Sequence, residues 1–227
     1  MTTIHTIRLK FSNCYQVSGA RNILVDTGSP GEAQNIIHKL QALGVGLSDI
    51  SLILHTHGHA DHCGSTVELL QQQKIPTAIH SADSHMTERG QNSPLKSEHL
   101  IARLAARFID RPFPAFRADI FVDNYTDLSE FGCNGTLHST RGHTSGSISI
   151  EFDSQEAIIG DVLMGGFVGG LFFPSTPGYP YVVEDAQALE TSINKILDFN
   201  ANTFYVGHGG PLSRERIKKK FHQPART

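Results

Sequence analysis

The 227-residue chain predicts an α/β fold in four layers, with two β-sheets packed face to face and helices on their outer sides. Two observations predict it. Short strand patterns fall into an early group, ending near residue 80, and a late group that begins near residue 118. Helical spacing stands beside each group. The length suits one large domain spanning 1–227, and 39% apolar with 18% charged residues is the composition of an ordinary globular chain.

Residues 4–10, 13–17 and 22–26 read as strands, separated by turns at Ser18-Gly19 and at Gly28-Ser29-Pro30-Gly31. Ala33, Ile36, Ile37, Leu40 and Leu43 recur at helical spacing over 32–43, and Gly44 is a natural stop. Residues 50–54 are nearly all apolar, as in a strand buried on both faces. A helix is expected over about 65–73 and a strand over 77–80. Residues 81–118 read as a helical insert, with a stripe formed by Leu100, Ile101, Leu104 and Phe108. Strands follow at 118–122, 128–132, 136–140, 147–152 and 156–160. Residues 162–181 are rich in Gly, Pro and aromatics without a clear period. A helix over 184–198, a strand over 203–206 and a short tail complete the pattern.

The net charge of −3 gives no field that would favour nucleic acid or a membrane surface. Lys218-Lys219-Lys220 reads as a solvated helix end. The three cysteines, Cys14, Cys63 and Cys133, have no paired spacing and suit a reducing compartment. Residues 1–11 lack the apolar block of a signal peptide, and no run approaches the roughly 20 apolar residues of a membrane span. These features lead to the expectation of a cytoplasmic protein acting on a small molecule.

Histidine is the compositional oddity, with 13 residues. His57-Gly58-His59-Ala60-Asp61-His62 follows directly on the apolar strand 50–54. Imidazoles and carboxylates are the donors that zinc and similar cations take, and a loop with small spacers can turn four of them to one point. Further donors follow other strands, each beside glycine: His143 in Arg141-Gly142-His143, Asp161 in Ile159-Gly160-Asp161, and His208 in Gly207-His208-Gly209. His55 reads as a buried, hydrogen-bonded histidine. Asp26 in Asp26-Thr27-Gly28 reads either as an orienter of a ligand histidine or as a turn cap.

In their order and spacing these motifs resemble the metallo-β-lactamase superfamily, over residues 26 to 211. The resemblance implies an αββα sandwich and a dinuclear metal centre. It implies that His57, His59 and His143 hold one ion, that Asp61, His62 and His208 hold the other, and that Asp161 bridges them. The ions would be two divalent cations, zinc in the first instance with iron or manganese as alternatives. Asp61 would also orient the nucleophilic water or shuttle its proton.

Within that family the chain looks like the glyoxalase II-like and lactonase-like hydrolases. Asp161 at the bridging position disfavours true β-lactamases. Only a short segment follows His208, so a C-terminal glutathione-binding domain is not expected, and Val162-Leu163-Met164-Gly165-Gly166 lacks a basic glutathione-recognising pattern. Arg141 stands where many relatives carry proline, which leaves the local turn open. The leading expectation is hydrolysis of a small ester, thioester or lactone. The alternative is an iron-dependent oxidoreductase of the persulfide dioxygenase-like type. Residues 81–118 and 162–181 are the candidate pocket walls, or else core cover or a homodimer contact.

Overall fold

The computed structural model describes residues 2–93 and 110–221. The first sheet has the order β1-β2-β3-β4-β5-β6, formed by β1 (Thr3–Arg8), β2 (Asn13–Ser18), β3 (Asn22–Val25), β4 (Ile50–Leu54), β5 (Thr77–His80) and β6 (Ile120–Val122). Strands β1 to β3 are antiparallel, and β3 to β6 run parallel. The second sheet has the order β14-β13-β10-β9-β8-β7. Its strands are β7 (Thr126–Asp127), β8 (Gly135–Ser139), β9 (Ile148–Phe152), β10 (Glu156–Ile158), β13 (Thr203–Tyr205) and β14 (Leu212–Ser213).

Side-chain alternation builds the layers. Along β3, Ile23 and Val25 face the second sheet while Leu24 faces outward, and along β4 Leu52 and Leu54 face inward while Ile53 faces outward. The inward set meets Leu137, Ile148, Ile150, Phe152 and Ile158 to form the core between the sheets. The outward set packs on α1 (Ala33–Ala42) and α3 (Thr66–Leu70) through Ile36, Leu40 and Leu69. On the far side, Ala157, Phe204 and Val206 pack on α5 (Ala186–Asp198) and α6 (Arg214–Phe221) through Leu189, Ile193, Ile196 and Ile217. The result is helix, sheet, sheet, helix, the expected αββα sandwich. No helix among the described residues is long and apolar enough to cross a membrane.

Three local expectations are corrected. Residues 128–132 do not form a strand: Ser129–Phe131 is a 3-10 turn closed by Gly132 at φ +84°, and the pairing strand is the shorter β7 before it. Residues 162–181 do have regular structure, an antiparallel hairpin of β11 (Met164–Phe167) and β12 (Phe172–Gly178) whose glycines and prolines hide any period. The helix expected over 65–73 is shorter and is preceded by a single turn, α2 (Ala60–Cys63), within the histidine run. Of the segment 81–118, the described part holds α4 (Ser84–Arg89), and Phe113 and Ala118 pack as core against Ala60, Cys63 and Ile79. The stripe of Leu100, Ile101, Leu104 and Phe108 lies outside the described residues. The three cysteines are buried and unbridged.

Candidate metal centre

Each of the seven expected donors follows the C-terminal end of a strand. His57 and His59 lie in the loop after β4, and Asp61 and His62 lie on α2, whose N-cap is His59. His143 sits in the β8–β9 loop, closed by Thr140 N–H donating to the Ser147 carbonyl at 2.8 Å. Gly142 takes φ +137° there, so the turn forms with Arg141 in place of proline. Asp161 lies in a 3-10 turn after β10, and His208 follows β13. Gly207 N–H donates to the Gly160 carbonyl at 2.9 Å and ties these last two loops together.

The seven side chains are buried and converge. His57, His59 and His143 form one triad, and Asp61, His62 and His208 another, each with donor atoms within 4.8 Å of one another. Asp161 reaches both: its Oδ2 lies 3.7 Å from His143 Nε2 and 3.2 Å from His208 Nε2, and its Oδ1 lies 3.7 Å from His62 Nε2. Asp61 Oδ2 lies 3.4 Å from His208 Nε2.

The hydrogen bonds on the outer side decide which atoms face inward. His143 Nδ1–H donates to the Val182 carbonyl at 2.7 Å, and His208 Nδ1–H to the Phe11 carbonyl at 2.6 Å. A carbonyl can only accept, so each ring presents Nε2 to the centre. Asp26 does the same for two more rings. Its Oδ2 accepts from His62 Nδ1–H and from the Thr56 hydroxyl, both at 2.8 Å. With its proton given to Asp26, Thr56 Oγ1 can only accept from His57 Nδ1–H, at 3.1 Å. Asp26 adopts φ +63°, a conformation Asp tolerates better than most residues. It is therefore an orienter of ligand-type histidines rather than a mere turn cap.

These donors fit divalent cations. His143 Nε2 lies 3.2 Å from His57 Nε2 and 3.0 Å from His59 Nδ1, so three ring nitrogens face one another. Two nitrogens on one tetrahedral zinc at about 2.0–2.1 Å would stand roughly 3.3 Å apart. Asp61 Oδ1, His62 Nε2 and Asp161 Oδ1 are buried and without hydrogen-bond partners. Such groups are costly unless something satisfies them. A cradle exists around them: a Cβ on Gly207 would stand 2.0 Å from Asp161 Oδ1 and 2.6 Å from His62 Cε1.

The electrostatics divide the centre. Burial, with added repulsion from neighbouring histidines, holds His57 well below its ordinary value and His59 down to about 3. Burial opposes the charge on His62 too, but Asp26, Asp161 and Asp61 outweigh it and push His62 up to about 9. His208 is likewise raised against its burial, by Asp161 and Asp61. Burial opposes ionisation of Asp61, yet His62 and His208 hold it down to about 2.

His55 stays outside both triads. It is fully buried, its Nε2 lies 3.2 Å from Thr66 Oγ1, and burial lowers it to about 4. Cys63 donates its thiol to the His57 carbonyl at 3.2 Å, and burial raises it, so no reactive thiolate is set up there.

Thr56 and Asp83 were not picked out in the sequence. Nor were Asn13 and Tyr15, which reach from β2 to the Val206 carbonyl at 2.8 and 2.6 Å and hold the His208 loop. The β1–β2 turn is a further omission. With Val168, Leu171 and Pro174 of the β11–β12 hairpin, Arg8, Lys10 and Phe11 line a cleft of about 430 Å³ that reaches Gly209 beside His208. The segment 162–181 thus contributes a wall next to the centre, and Phe172 and Phe173 are exposed on it.

The profile of the metallo-beta-lactamase superfamily matches residues 7–208. A hydroxyacylglutathione hydrolase, GloC, of Haemophilus influenzae is 30% identical over 82% of this chain and 79% of its own length. The beta-lactamase-like protein 2 homolog of Caenorhabditis elegans is 28% identical over 91% of this chain, which spans only 58% of that relative. The solved BLEG-1 B3 metallo-beta-lactamase superposes with a TM-score of 0.73 at 22% identity, over 96% of this chain and 97% of that one. The solved di-iron-bound form of TTHA1623 gives 0.66 at 22% identity, over 96% and 98%. At such identity these two likenesses show the fold alone. The chain belongs to the metallo-β-lactamase superfamily, whose named relatives include metal-dependent hydrolases.

Proposed function

We propose that the chain is a dinuclear metal-dependent hydrolase acting on a small ester, thioester or lactone. The observation that carries this reading is the convergence of two buried triads on one shared carboxylate, Asp161, with inward atoms that have no protein partner. His57, His59 and His143 would hold one ion, Asp61, His62 and His208 the second, and Asp161 would stand between them. When bound, the pair of ions supplies a water of lowered pKa and an electrophilic contact for the substrate oxygen.

The chain's own residues do the rest. Asp26, Thr56, Val182 and Phe11 fix the ring tautomers, so that the imidazoles need not reorient during turnover. Asp61, held ionised, keeps Oδ1 free to accept a proton from the attacking water. The cleft beside His208 is of small-molecule size, and its walls combine apolar side chains with Arg8 and Lys10. The hydroxyacylglutathione hydrolase among the relatives supports acyl hydrolysis.

The test is metal analysis of the purified protein together with a panel of ester, thioester, lactone and phosphodiester substrates. Two ions per chain and turnover of a carboxylic substrate are expected. One iron per chain with oxygen uptake would replace this reading with the oxidoreductase one. Asp161→Ala should lose turnover and at least one ion, and full retention of both would overturn the bridging role.

A further inference from the structure

Asp83 is a buried carboxylate to which the centre described above assigns no part. It stands at the N-cap of α4, where an Asp side chain ordinarily accepts from the first turn of the helix. Its side chain makes no such bond. It turns instead to the two loops that carry the first triad. Oδ2 accepts from Gly58 N–H, between His57 and His59, at 3.0 Å, and from the Thr144 hydroxyl, beside His143, at 2.7 Å. Oδ1 accepts from Gly146 N–H at 2.7 Å. Ser147 Oγ closes the far side, 2.7 Å from Thr144 Oγ1 and 3.0 Å from the Thr144 amide that donates to it.

The approach demands glycine at 146 and leaves a tight fit at 58. A Cβ on Gly146 would lie 2.5 Å from Asp83 Cγ, and one on Gly58 would lie 3.1 Å from the Asp83 carbonyl oxygen and 2.8 Å from Met86 Cε. The β4–α2 loop and the β8–β9 loop come from different sheets. Among the described residues, the Asp83 side chain bonds Gly58, Thr144 and Gly146, and not Asp61, His62 or His208.

We propose that Asp83 is the positioning residue of the first triad, fastening the His57-Gly58-His59 loop to the His143 loop so that an ion there depends on it while one at Asp61, His62 and His208 does not. This rests on the two-metal reading above. Asp83→Asn keeps the size of the side chain but can accept on one side only, so either Gly146 or the Gly58–Thr144 pair faces an amide NH₂. Outer groups that hold metal ligands typically contribute about 10–100-fold to affinity.

The experiment measures zinc dissociation constants by competition with a chromophoric chelator in two backgrounds. His208→Ala disables the second triad, and His143→Ala disables the first. Adding Asp83→Asn should weaken zinc about 10–100-fold in the His208→Ala background. It should leave affinity within about twofold in the His143→Ala background, since Asp83 touches nothing in the triad that remains. Unchanged affinity in the first background, or equal weakening in both, would overturn the proposal. If Asp83→Asn does not yield folded protein, Thr144→Val removes one donor alone, and a smaller loss confined to the His208→Ala background is expected. Equal losses there also overturn it. A His208→Ala protein with Asp83 intact that binds no zinc would remove the first site itself, and with it both this role and the two-metal reading.

Discussion

The two triads are built from the same kinds of loop and adjoin the same carboxylate, Asp161, yet they differ in charge. The first is all imidazole, and burial keeps His57 and His59 neutral at any ordinary pH. The second sets His62 and His208 among carboxylates, which keep both rings protonated near neutrality when no cation is bound. An ion entering the first triad finds bare nitrogens, whereas an ion entering the second must displace protons. Similar ligands can therefore offer unequal sites, because surrounding carboxylates decide what the metal competes with.

The largest expected effect that would break the comparison is Gly207→Ala. Its methyl would drive into Asp161 and His62, and so strike the shared carboxylate and the second triad together. Turnover should fall about 100-fold or more, the usual consequence of moving a catalytic group by around an ångström, and zinc analysis should show the second ion lost. Retained stoichiometry would show that the pocket can yield.

Next is Asp26→Asn. Asp26 serves His62 directly and His57 through Thr56, so both zinc affinities should fall, by about 10–100-fold each. A loss confined to one site would break the link through Thr56.

The third prediction concerns the metal-free protein, where the triads should give opposite pH slopes. His62 is raised to about 9, so its stabilising share is fully present below its ordinary value of 6.5 and is lost as pH rises to about 9. His59 is lowered to about 3, so the unfolded chain takes up that proton first and stability falls as pH drops below 6.5. Asp61, lowered to about 2, contributes stability above its ordinary value of 3.8 and loses it only at still lower pH. Thermal unfolding of the stripped protein should peak near pH 6.5. His62 alone would give the alkaline limb about 3 kcal/mol, or roughly 6–12 °C in a chain of this size, and His208 adds to it in the same direction. Asp26→Asn should flatten that limb more than the acid one, and parallel changes in both limbs would contradict the division of charge.

The smallest effect on the centre is expected from His55→Asn. That ring meets Thr66 and Phe116, and of the two triads it reaches only the backbone of His62. Both ions should stay with the protein, while the melting temperature falls by several degrees through lost packing. Loss of an ion would place His55 within the centre's support.

Much of this was legible in the chain. The alternation of β3 and β4, the helical spacing of α1, and a donor beside glycine after each of four strands all carry local signals. So did His55, where an apolar strand already argued for burial. What could not be read depends on contacts between distant segments. Asp83 looks like any helix cap until the β8–β9 loop arrives beside it. Thr56 gains its role only because Asp26 has turned into the left-handed region. The hairpin of β11 and β12 was hidden because its register shifts between Gly165 and Phe167 and its residues favour turns. Residues 128–132 misled because Leu128 and Phe131 suggested a strand where Gly132 closes a turn.

The bracket that Asn13 and Tyr15 place on Val206 has a consequence for the order of assembly. One strand near the start of the chain grips the loop that follows β13, near its end. During synthesis, every donor of the first triad has left the ribosome well before that grip can form. Under the proposed assignment, the growing chain gains a place for its first ion early and for its second only when β13 docks, so metal occupancy would count off the last steps of folding.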